Sequence, residues 1–63
     1  MADNPLTEHD LEQINAALVE IESAEGIIAQ AKRAGIPLER QEEQARETKE
    51  KLLRIKQAFF PGR

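Results

Sequence analysis

His9 is the lone histidine of the chain, and it stands among Glu8, Asp10 and Glu12. These are the residue types from which a metal site or a general acid-base pair is built, but their spacing decides against both. On a helix His9 shares a face with positions 12 and 13, so its imidazole meets a single carboxylate where a zinc-type site uses three or four ligands. The sequence has no cysteine and no tyrosine, no Gly-rich phosphate loop, and too little chain to wall in a cleft. The expectation is a protein that is not an enzyme, with no catalytic, metal or cofactor-binding residues and no cofactor.

A second constellation is electrostatic. Residues 1–25 carry only acidic charges, whereas the last stretch carries Lys49, Lys51, Arg54, Lys56 and Arg63 against Glu50 alone, within a formal net charge of -3. Lys49, Lys51, Arg54 and Lys56 are the candidate RNA-binding residues. No aromatic side chain interleaves them on an exposed face, as single-strand recognition would use. The mildly acidic balance argues against generic binding to nucleic acid or anionic membrane. Opposite signs on neighbouring helices also fix an antiparallel orientation, with no ligand required.

The elements that position these groups are two helices. Thr7 is placed to cap the first, with Asp10 answering it as a capping box and Leu6 and Leu11 spaced as a hydrophobic staple. Acidic residues crowd the first turn and Lys32 and Arg33 the last, as the helix dipole favours. Gly35 supplies a left-handed stop, and Pro37 suits the opening of a second helix. The sequence therefore divides into an N-terminal extension and cap over 1–7, a helix over 8–34, a turn over 35–37, a helix over 37–58 and a tail over 59–63, all in a single domain. On the second helix, Glu42 with Arg46, Glu47 with Lys51 and Glu50 with Arg54 fall at ion-pair spacing.

Ile14, Ile21 and Ile28 recur every seven residues, as do Ala17, Ala24 and Ala31. A matching row on the second helix holds Leu38, Ala45, Leu52 and Phe59, with Ile55 beside it. An antiparallel return makes facing residue numbers total about 72 or 73 by helical register, which sets Ile14 against Phe59, Ala17 against Ile55, Ile21 against Leu52, Ala24 against Thr48, Ile28 against Ala45 and Ala31 against Gln41. The fold class is all-α, an antiparallel, coiled-coil-like two-helix hairpin. Residues 14, 21, 28, 52, 55 and 59 should hold it together.

With 63 residues, the chain has too small a core to stand easily alone, which points to a four-helix bundle or to docking on a larger complex. The partner is expected to be protein: a homo-oligomer or a subunit of a larger assembly, with nucleic acid as the alternative and no membrane. Leu11, Leu18, Val19, Ile27, Leu53 and Phe60 are the expected partner or oligomer contacts. Of these, Val19 and Ile27 fall away from the seam. The tail Phe59-Phe60-Pro61-Gly62-Arg63 cannot continue a helix; read as a short extended peptide, it either docks on a neighbour or folds Phe60 over Leu11 to cap the open end. Met1–Pro5 lacks the cationic and apolar segments of a secretory signal, so the expected chain is complete and cytoplasmic.

In its helix, short turn, helix plan the chain resembles the Rop family of plasmid copy-control proteins. The likeness is one of architecture: the loop here is Ala34-Gly35-Ile36-Pro37, and none of that family's RNA-binding residues can be carried over. It implies the alternative reading, a dimeric four-helix bundle that regulates by binding RNA. Leu6-Thr7-Glu8 with Asp10-Leu11, Ala31-Lys32-Arg33-Ala34-Gly35-Ile36 and the Phe59–Arg63 ending are similar to segments of small helical proteins of tailed phages and prophages. That resemblance implies a protein-protein interaction module: a phage-type assembly or virion-associated component, located in the virion, or a small effector that binds a host protein.

Overall fold

The computed structural model describes residues 5–63; the part of the N-terminal extension formed by residues 1–4 lies outside the described residues. Helix α1 spans Glu8–Arg33 and helix α2 spans Glu39–Phe59. The described residues contain no strand. The helices pack as an all-α hairpin, a rod of 53 × 16 × 15 Å.

Helix α1 begins as its cap predicts. Thr7 has extended backbone (φ -108, ψ 174), its hydroxyl accepts from the Asp10 N–H at 3.2 Å, and the Thr7 N–H donates to Asp10 Oδ2 at 2.9 Å. Two otherwise orphaned N–H groups are thereby satisfied. Leu6 is half-buried and Leu11 buried, the burial expected of a staple. At the other end Gly35 (φ 90) donates to the Lys32 carbonyl at 3.0 Å and Ile36 to that of Ala31 at 2.9 Å. This is the crossed pair of a Schellman stop, which only glycine adopts without strain.

Helix α2 opens at Glu39, two residues beyond the proline placed at its start. Leu38 is the cap residue: its carbonyl accepts the first helical bond, from Glu42 N–H at 2.9 Å, with no side-chain cap. Ile36, Pro37 and Leu38 form the link, and Leu38 is half-buried as the first residue of the inner row.

The inner face of α2 departs from the seam. Ile55 and Phe59, assigned to hold the fold, are exposed, as are Thr48 and Gln41. Leu38, Ala45, Lys49, Leu52 and Lys56 are half-buried, and Phe60 is buried. At 100° per residue this corresponds to a rotation of α2 by roughly 60° about its axis. Two attachments hold the rotated position. Lys49 Nζ reaches Glu25 Oε1 at 3.4 Å across the hairpin, and Phe60 enters the open end. Lys49 with Glu25 and Lys32 with Glu42 both total 74, a register one or two residues from the expected one.

The tail is a closed turn, contrary to its reading as an extended peptide. The Arg63 N–H donates to the Phe60 carbonyl at 3.1 Å, and Gly62 has φ 84. Proline then glycine at the two central positions is the composition a type II turn requires. The turn carries the Arg63 guanidinium back to the first turn of α1, where Nη1 and Nη2 donate to the two carboxylate oxygens of Glu8, the latter contact at 2.8 Å. Leu11 is 5% exposed and Phe60 7%, so the tail caps the open end.

Candidate interaction surface

The hairpin has two unlike sides. On one, Lys32–Glu42 at 2.9 Å and Lys49–Glu25 at 3.4 Å connect the helices. These three ion pairs, counting Arg63–Glu8, are those found among the described residues. The intrahelical pairings expected of Glu42, Glu47 and Glu50 are not formed; Glu42 turns across the hairpin to Lys32 instead. The hydrogen bond with Glu42 raises the pKa of Lys32, helped by the nearby negative charge of Glu42 and Glu39. At the open end the hydrogen bond from Arg63 holds the Glu8 carboxyl below its usual range and pushes the guanidinium of Arg63 higher.

On the other side, α1 and α2 are separated by an open groove of about 750 Å³ lined by Ile21, Ala24, Ile27, Ile28, Leu38, Gln41, Gln44, Ala45, Glu47, Thr48 and Lys51. Its floor is apolar and partly made of small residues. Ile28 is among the core residues at 8% exposed, whereas its neighbour Ile27 is 65% exposed. One helical turn of sequence thus supplies both floor and rim. Thr48 and Ile55 are seven residues apart, as are Leu52 and Phe59, so the exposed Ile55 and Phe59 continue the groove stripe of α2 toward the open end. The rotation of α2 creates this surface: it turns Thr48, Ile55 and Phe59 from the centre of the seam toward its edge, where Ile55 is 39% and Phe59 38% exposed.

The six expected contact residues do not form one patch. Leu11 and Phe60 are corrected to the chain's own core, because the tail turn closes over the open end. Leu18 is half-buried. Leu53 borders a second recess, of about 300 Å³, with Lys56, Gln57, Phe60, Gly62 and Arg63. Val19 stands alone on the outer surface at 62% exposed. Ile27, expected to face away from the seam, lies on the groove wall beside it. Groove residues Gln41, Gln44 and Thr48 escaped the contact assignment, since the seam register claimed Gln41 and Thr48 for the interior and left Gln44 as surface.

The basic residues of α2 are likewise dispersed. Lys49 and Lys56 are half-buried on the inner row, Lys51 lines the groove and Arg54 is exposed. Lys49 and Arg54 are about 140° apart around the helix, so the four cations present no common face. His9 Nε2 lies 3.2 Å from the Gln13 amide, one turn on. No group of three or more His, Cys, Asp or Glu side chains placed to hold a metal occurs among the described residues. No helix of the described residues is long and apolar enough to cross a membrane.

Compared with family models, curated proteins and solved structures, the chain matches none of them.

Proposed function

We propose that this chain is a non-enzymatic protein-protein interaction module that works through the open groove, as a small phage-type assembly or virion-associated component or a binder of a host protein. The single observation that carries the reading is the combination of an apolar, uncovered floor with Ile27 at its rim 65% exposed. An apolar stripe continued by Ile55 and Phe59 gains free energy only when covered, and its flat, open shape fits a helix or a helical surface better than a small molecule. The dispersal of Lys49, Lys51, Arg54 and Lys56 around α2 favours this reading over a dimeric RNA-binding regulator, which would gather its cations on one face.

Site-specific photo-cross-linking in the native cell or particle tests it. A photoreactive residue at position 27 should capture protein, whereas one at Val19, equally exposed but away from the groove, should not. Salt distinguishes the classes: an apolar protein contact should persist as salt rises, while RNA binding should weaken steeply. Capture of nucleic acid alone at position 27, or equal capture at 19 and 27, would defeat the reading.

A further inference from the structure

We infer that the groove is filled by a second copy of this chain, docked about a two-fold axis parallel to the helices, so that both loops lie at one end and α1 of each copy packs on α2 of the other. The inference rests on the groove being a protein-binding surface and names its occupant. Area is the first support. A compact monomer of 7.1 kDa exposes about 4,100 Å² by the general scaling of surface with mass, against 4977 Å² here. The excess of roughly 900 Å², spread along the rod, leaves room for the ~800 Å² that each partner of a standard interface loses.

Register is the second. On α1, Glu20 lies seven residues before Ile27 and shares its row; on α2, Gln44 and Lys51 line the groove seven residues apart. The cross-helix ion pairs fix relative height: Ile27 lies level with Glu47, between Gln44 and Lys51. A two-fold parallel to the helices preserves heights, so Ile27 of one copy inserts between Gln44 and Lys51 of the other, over the small Ala45 and Thr48. Glu20 then comes within about three residues' rise, ~4.5 Å, of the level of Lys51 of the second copy.

Charge selects this arrangement over the one with loops at opposite ends. There, α1 would lie on α1 and α2 on α2, so Glu20 of one copy could not meet Lys51 of the other. With loops at one end, Glu20 on the acidic first half of α1 comes near the groove-lining Lys51 of the second copy.

Sedimentation equilibrium across a thousand-fold concentration range should give a dimer that dissociates on dilution. Ile27→Asp should weaken it at least tenfold. Because that variant could also lose its fold, the charge swap provides an independent reading: Glu20→Lys and Lys51→Glu should each weaken the dimer several-fold, and the double variant should recover it. The chain has no cysteine, so Arg40→Cys introduces a single spin label near the loop. The distance between labels should be at most about two hairpin widths of 16 Å, not most of the 53 Å length.

A monomer mass at every concentration with a full cooperative helical melt overturns the inference, and so does a dimer whose loop labels lie a molecular length apart. In the first case the groove reading itself still stands or falls on whether position 27 cross-links a different protein.

Discussion

The adjacent phenylalanines of the tail give the sharpest test of how α2 is turned. Phe60 is 7% exposed and Phe59 38%, whereas the heptad row places Phe59 in the core and Phe60 outside it. A phenylalanine carries on the order of 200 Å²; at ~25 cal/mol per Å², burial to these extents contributes about 4.5 kcal/mol for Phe60 and about 3 kcal/mol for Phe59. Residual compactness of the unfolded chain reduces both by roughly 10–40%, leaving about 3–4 and about 2 kcal/mol. Phe60→Ala should therefore cost about 1–1.5 kcal/mol more than Phe59→Ala, close to a tenfold difference in the folding equilibrium. Urea unfolding followed by far-UV circular dichroism reads this as a shift in midpoint at constant slope. The comparison belongs at one low protein concentration, because Phe59 continues the groove stripe and its loss would grow if a second copy covered it. If Phe59→Ala proves the more costly, α2 sits in the heptad register and the groove as described does not exist.

Three further outcomes follow from the local geometry. Thr7→Ala removes the acceptor for the Asp10 N–H and should cost about 1 kcal/mol, seen as faster amide exchange in the first turn of α1, with Thr7→Ser close to neutral. Gly35→Ala should cost about 1–2 kcal/mol in thermal or urea melts, all of it from the positive φ, since an added Cβ there meets nothing within 4 Å. Glu8 has its pKa lowered by the Arg63 hydrogen bond, so the contribution of this pair is present above the unfolded carboxylate value and is lost as pH falls through the lowered native one. Carboxyl NMR titration should show the Glu8 midpoint moving back up in Arg63→Gln; an unchanged midpoint would refute the clasp.

The start of α1, the Gly35 stop and the two-helix plan were legible because each is set by residues within a few positions of one another. The Thr7–Asp10 box and the Gly35 reversal need no knowledge of the partner helix. The rotation of α2 was not legible, because helical periodicity scores apolar rows and gives no weight to a lysine. A lysine can bury its aliphatic stem while its charged end stays wet, so Lys49 and Lys56 occupy a half-buried row that a hydropathy pattern assigns to solvent. The Arg63–Glu8 clasp joins residues 55 apart. Its signal was nonetheless present in Pro61-Gly62, the central pair of a type II turn, which reverses the chain where an extended tail was expected. The groove was hidden with the rotation, since Gln41, Thr48, Ile55 and Phe59 become its α2 stripe only once they leave the seam.

These observations bear on why a helix so poor in apolar residues carries more of them than its own hairpin uses. Helix α2 with its cap residue Phe60 holds two competing inner rows: Thr48, Ile55 and Phe59 on one, Lys49, Lys56 and Phe60 on the other, with Ala45 and Leu52 between them. A lone hairpin buries one more fully than the other, because a single neighbouring helix covers about a third of the circumference. The ion pair of Lys49 with Glu25 and the capping turn behind Phe60 are formed within the chain and need Glu25 and Glu8 at matching heights on α1. The Thr48, Ile55 and Phe59 row needs only an apolar neighbour of any origin. The row that is specific to the chain is therefore used inside, and the row that is merely apolar is left facing out. That division assigns folding to the charged and terminal residues and association to the Thr48, Ile55 and Phe59 stripe, and it makes the two separable by mutation.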